Sequence, residues 1–156
     1  MATPASIHKH PIHPMLIPFP IALWIFSLVC DVVYLTGFGG LVWNDIALYT
    51  MIGGLLGALA AAIPGYIDYR SITEPAVKRI GLWHMVTNLS IVVLFTLNVL
   101  LRILEVETIP IILSVIGVSL LGLSGWLGGE LVYVHGVAVE PHEVARATKK
   151  GQNRVA

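Results

Sequence analysis

The chain has 156 residues, 56% of them hydrophobic and 12% charged, with a mean hydropathy of +0.85 and a formal net charge of +0 at pH 7. Soluble domains carry about 25% charged residues, so this composition excludes an ordinary water-soluble globule and points to the bilayer. The few Lys and Arg are scattered, which excludes the basic stripe of a nucleic-acid binder, and the single Cys30 has no partner for a disulfide or a CxxC metal site.

Four apolar stretches, Pro14–Leu35, Asp45–Tyr66, Ile80–Leu104 and Ile109–Tyr133, each supply about the 20 residues that a helix needs to cross the hydrocarbon core. The predicted fold is therefore an all-α membrane protein, a four-helix up-down transmembrane bundle. A polar, His- and Pro-rich lead-in occupies residues 1–13, the transmembrane domain 14–136 and a polar tail 137–156.

The first stretch is preceded by HKHPIHP, which carries His8, His10 and His13. Without a basic leader or a small-residue cleavage site, it is expected to be a retained helix. Proline disfavours the helical region for the residue before it, so residues 10–14 are expected to be extended, with His10 and His13 on one side of a polyproline strand. Pro18 and Pro20 each delete a backbone donor, which predicts a helix start near Pro18 or a kink there.

The second stretch ends in PGYIDYR, placing Asp68 at its last turns with Pro64, Ala61, Gly57, Gly54 and Thr50 on the same face. In the third, steps of about 100° per residue bring His84, Asn88, Ile91, Phe95, Asn98 and Arg102 onto one line. Four of those six are polar, so this stripe must face the bundle interior. Asn88 and Asn98 are expected to bond between helices. Arg102 needs an anion, and Asp31 at similar depth on the first helix is its predicted partner in a structural ion pair; Glu105 and Glu107 are exposed competitors. The fourth stretch carries Gly117, Leu121, Ser124, Gly128 and Leu131 on the face that leads to His135. Small residues permit close helix approach, with Gly57 to Ala61 or Gly125 to Gly129 as candidate contacts. Such faces also allow homo-oligomers.

Lys9, Arg70, Lys78, Arg79 and the tail cations Arg146, Lys149, Lys150 and Arg154 fall on one side, and Arg102 alone lies near the other. The positive-inside bias thus places both termini in the cytoplasm. His10, His13, His84, His135 and Asp68 then all arrive at the cytoplasmic leaflet.

HPIHPMLIPFPIALW, AAIPGYIDY, His84 and SGWLGGELVYVHGV together resemble a bacterial membrane family, domain of unknown function 2231. The resemblance runs from about His10 to Val137, with motif residues at His10, His13, Asp68, His84, Glu130 and His135. It implies four transmembrane helices in a bacterial inner membrane, and relatives joined to or encoded near Rieske iron–sulfur proteins; it brings no established activity.

Three readings of the histidines follow. The first is a b-type cytochrome-like protein in which two imidazoles hold haem b for one-electron transfer, with quinone or a Rieske or cytochrome protein as partner. Its preferred axial pair is His84 with His135, with His13 and His10 as alternatives; Arg70, Lys78 and Arg79 would meet the propionates and Asp68 would stand behind the ligands. The second is a Zn, Fe or Cu ion among His10, His13, His84, His135, Asp68 and Glu130. Glu130 and His135 are five apart, so they would share an ion only if the helix unwinds at Gly128-Gly129. The third assigns no chemistry, only a membrane subunit that anchors a partner complex. A stand-alone enzyme is the least expected, because no serine or cysteine nucleophile lies beside a histidine.

Overall fold

The computed structural model describes residues 3–106 and 108–139. Glu107, His142 and the four tail cations lie outside the described residues. Four helical spans, Ile12–Leu35, Val42–Ser71, Pro75–Ile103 and Thr108–Val134, are long and apolar enough to cross a membrane. A helix satisfies its backbone donors and acceptors internally, which is what permits these segments to enter hydrocarbon.

The lead-in is not a polyproline strand. Strands β1 (Ser6–Ile7) and β2 (His10–Pro11) pair antiparallel around His8 and Lys9, whose φ angles of 49° and 68° make a tight turn that matches strand twist. Asp68 anchors this hairpin: its Oδ1 accepts from the Thr3 hydroxyl and, at 3.2 Å, from the Ala5 backbone N–H. Pro11 is extended and helix α1 (Ile12–Leu16) follows at once. Pro14 falls in the first turn, where a missing N–H costs nothing, so His13 is helical despite preceding a proline.

The expected break falls at Ile17, and helix α2 (Pro18–Leu35) begins with Pro18 in its first turn. Gly37, Gly39 and Gly40, at φ of 77°, 72° and 67°, carry the chain through the left-handed region to helix α3 (Val42–Ser71). Helix α4 (Pro75–Ile103) starts after a three-residue turn with Pro75 at its head. Helix α5 (Thr108–Gly129) passes into a π-helical turn over Glu130–Val134.

Packing closes these helices into a ring: α2 lies against α3, α3 against α4, α4 against α5 and α5 against α2. At its centre Trp24 of α2 and Phe95 of α4 stack across the diagonal, with ring centroids 4.5 Å apart and planes 5° from parallel. The pair fits because two inward positions lack side chains. A Cβ at Gly54 would lie 2.5 Å from Trp24 Nε1, and one at Gly117 would lie 2.7 Å from Phe95 Cε2. The indole N–H donates to the Met51 carbonyl at 3.2 Å. Met51, Ile91, Val99 and Leu121 complete this layer, and Ile72, Val77 and Leu131 form a second cluster toward the hairpin end.

The third-stretch stripe does face inward, with Ile91, Phe95 and Asn98 fully buried. Asn98 bonds between helices, donating to the Pro110 carbonyl at 2.7 Å and to Ser114 Oγ at 2.9 Å. Asn88 does not: its amide bonds back within α4 to His84. Among the glycines, Gly57 meets Pro20 and Phe19 of α2, as a close helix contact requires. Gly125 meets nothing within 4 Å, and Gly129 meets only Tyr133 of its own span. The buried line of α5 runs through Ser114, Gly117, Leu121 and Ser124, and one residue further is about 100° around the helix, which turns Gly125 outward.

At the end of the bundle away from the hairpin, Arg102 Nη2 donates to both Asp31 oxygens at 2.7 Å, with the two side chains 5% and 1% exposed. Arg102 also donates to Asn44 Oδ1 at 2.9 Å and Asn98 Oδ1 at 3.0 Å, and Ser114 donates to Asp31 Oδ2 at 3.0 Å. The predicted ion pair is therefore present and fully hydrogen-bonded. Arg102→Met strands a buried carboxylate and is expected to cost about 3–5 kcal/mol. Combining it with Asp31→Leu should recover much of that loss, as measured by thermal unfolding of the single and double variants in detergent.

Candidate functional site

At the hairpin end, two half-buried imidazoles, one from the opening turns of the first span and one from α4, come together. His13 sits in the opening turns of the first span, where α1 packs on α3. Pro64 stands inside α3 and has no N–H for the Ala60 carbonyl a turn back, next to the carbonyl that His13 uses. His13 Nδ1–H donates to the Ala61 carbonyl at 2.8 Å. The ring lies close over Gly65, where a Cβ would come within 2.7 Å of Nδ1.

His84 repeats the arrangement on the other side. Its Nδ1–H donates to the Ser124 carbonyl of α5 at 3.0 Å, with Ser124 Oγ 3.3 Å from the same nitrogen. Gly128 leaves room for this ring, since a Cβ there would sit 3.1 Å from His84 Cε1. The Asn88 amide donates to the His84 carbonyl at 2.8 Å and to His84 Nε2 at 3.2 Å. Only a neutral ring with its proton on Nδ1 satisfies both neighbours, because a carbonyl accepts and an amide N–H donates. A carbonyl accepts, so His13 Nδ1 also carries a proton, and its Nε2 has no hydrogen-bond partner among the described residues.

The two rings meet edge to face, with a centroid separation of 6.3 Å and an interplanar angle of 89°. Each reaches a backbone carbonyl on a neighbouring helix, so this one pair connects all four spans: His13 to Ala61, and His84 to Ser124.

The other sequence candidates lie elsewhere. His10 is exposed at the hairpin, 3.0 Å from the His8 carbonyl, because the turn and the helix start at Ile12 separate it from His13. His135 ends the π-helical turn, with Nε2 4.0 Å from Glu130 Oε1. Here the helix does unwind just after Gly128-Gly129. The wider turn brings residues five apart into line, as the 3.2 Å bond from His135 N–H to the Glu130 carbonyl shows. Asp68 is used by the hairpin anchor. Arg70 is exposed near Tyr66 Oη at 3.5 Å, Lys78 Nζ lies 5.6 Å from the Tyr69 ring centre, and Arg79 is exposed. Among the described residues no three His, Cys, Asp or Glu side chains gather as a metal-binding group.

Sequence reading did not find the carbonyl acceptors on Ala61 and Ser124, nor Gly65 as the position that admits His13. The available signal was that Ala61, Ser124 and Gly128 occupy inward faces at the depth of His84.

Four apolar spans with their polar groups turned inward and tied at both ends define an integral membrane protein. The chain belongs to the family described as Predicted membrane protein (DUF2231), whose model matches residues 9–141. No curated protein and no solved structure matches it.

Gly65→Ala forces the His13 ring off its carbonyl and is expected to cost about 1–3 kcal/mol of stability, the usual range for overpacking. Gly122→Ala, where a Cβ meets nothing within 4 Å, should be neutral or slightly stabilising through helix propensity. Melting both variants beside the parent chain checks the contrast.

Proposed function

We propose that the protein is a small electron-transfer subunit of the bacterial inner membrane that holds one haem b between His13 and His84. The observation that carries this reading is the fixing of both Nδ1–H groups on backbone carbonyls. That arrangement leaves Nε2 as the nitrogen a metal would meet and orients each ring, as outer partners do for metal-bound histidines. Two half-buried, mutually perpendicular imidazoles on diagonal spans supply the pair of nitrogen ligands that haem b takes in a bundle, and the helices would have to part to admit the macrocycle. His13 replaces His135 as the preferred partner of His84, because His135 lies by Glu130 at the end of the last span. Ligation through His84 Nε2 would displace the Asn88 amide. When bound, haem supplies reversible one-electron transfer; the chain's own residues orient it and exclude water.

Lys9, Arg70, Lys78 and Arg79 belong to the hairpin end, and Arg102 to the other. This bias supports a cytoplasmic location for the site, with the start of the first span and the end of the fourth on that side. The exposed Arg70 and Arg79 are then available to carboxylate groups such as propionates. A quinol or a Rieske-type protein is the class of partner that one-electron chemistry at this depth would serve.

One observation favours a second reading. The Asn88 bond to His84 Nε2 satisfies that ring completely, which suits a purely structural tie and a subunit that anchors a partner. A zinc, iron or copper ion is less well supported, because the described residues bring no third ligand beside the pair.

Absorption spectra of the detergent-purified protein, oxidised and then dithionite-reduced, separate these readings. The expected result is an intense Soret band with visible bands that sharpen on reduction, lost in His13→Ala and His84→Ala and retained in His135→Ala and His10→Ala. A colourless, metal-free preparation would establish the structural tie instead.

A further inference from the structure

Hydroxyl groups inside membrane helices usually turn back to the carbonyl one turn earlier, and several here do. Thr50, Ser90, Thr96 and Ser119 donate to the carbonyls of Ile46, Val86, Val92 and Val115 at 2.7 to 2.9 Å. Ser27 does not. It is 0% exposed, and among the described residues its Oγ is the buried side-chain polar atom with no hydrogen-bond partner. A buried hydroxyl that makes no bond is rare in a native protein and calls for an unseen partner.

Its position names that partner. Ser27 lies four residues before Asp31 on the buried face of α2 that also carries Trp24. One helical turn is a rise of about 5.4 Å. No direct bond joins the Ser27 hydroxyl to the Asp31 carboxylate, and one water making two successive hydrogen bonds of about 2.8 Å reaches across a turn of this size. We infer that a single buried water bridges Ser27 Oγ to the oxygens of Asp31 and Ser114.

The surroundings fit water better than an ion or an organic ligand. Asp31 is already neutralised by Arg102 at 2.7 Å, so a second cation would find no unbalanced charge. Trp24, Cys30 and Asp31 are each no more than 2% exposed, which leaves no route for a larger group. The Ser27 hydroxyl and the Asp31–Ser114 oxygens provide the two to four polar partners that an internal water requires. The bridge extends the polar network of the far end inward by one turn, until the Trp24–Phe95 stack closes it.

Two measurements on the full-length protein test this. A structure in lipid nanodiscs at a resolution that shows ordered solvent should reveal one density peak within hydrogen-bond distance of Ser27 Oγ and an Asp31 or Ser114 oxygen; empty space there overturns the inference. Ser27→Ala removes one of the water's anchors and is expected to lower the unfolding midpoint by about 2–4 °C. A midpoint that is unchanged or higher would mean that the hydroxyl had been an unpaired burden, and would also overturn it.

Discussion

Hydrocarbon offers no water to a polar group, so each polar group that enters this bundle must find its partner inside it. The fold is organised around that constraint at both ends. On the far side, the Arg102 guanidinium gathers Asp31, Asn44 and Asn98, and Ser114 closes the network, so α2, α3, α4 and α5 all contribute. On the hairpin side, His13 and His84 reach the Ala61 and Ser124 carbonyls and link the same four spans. Apolar contacts alone discriminate poorly between helix neighbours in lipid, because the tails are as apolar as leucine. The polar crossings supply the discrimination.

Between the two ends, geometry takes over from charge. Trp24 and Phe95 need close approach from opposite corners of the ring, and Gly54 and Gly117 make it possible. Gly65 and Gly128 do the same for the imidazoles. Inward glycine in this protein is thus mostly space for a named ring, whereas Gly122 and Gly125 face outward and touch nothing. The stripe on α4 shows how few residues carry the plan: His84 and Asn88 at one end, Ile91 and Phe95 in the middle, Asn98 and Arg102 at the other.

Much of this was legible in the sequence. The four spans follow from length and hydropathy, and the Asp31–Arg102 pair from one unpaired cation and one anion at matching depth. The break before Pro18 follows from missing backbone donors. What could not be read was local geometry that no side-chain pattern encodes. The His8-Lys9 turn adopts two left-handed residues without glycine, and so hides a hairpin inside an apparent proline strand. The π-helical turn shifts Glu130 and His135 into line although their spacing says otherwise. The acceptors for both histidines are backbone carbonyls, available on every residue and therefore invisible as a motif. The sequence places Asp68 behind the histidines, whereas it anchors a hairpin whose two-residue strands are too short to leave a pattern.

The two polar ends differ in a way that bears on function. Asp31 accepts from Arg102 and Ser114, while Arg102 itself serves three partners, as expected of a structural tie in which no charge is left to react. At the histidine end the accounting stays open. His13 Nε2 has no hydrogen-bond partner among the described residues, and His84 Nε2 is held by an amide at 3.2 Å, a longer contact than the 2.7 Å bonds of the ion pair. A pair meant only to join helices would gain more from two saturated side chains than from an imidazole anchored at one nitrogen and left unfilled at the other. Nδ1 anchoring leaves the Nε2 side of each ring as the position a metal would use, the His84 one only once the Asn88 amide moves away, and the haem proposal rests on that difference from the ion pair.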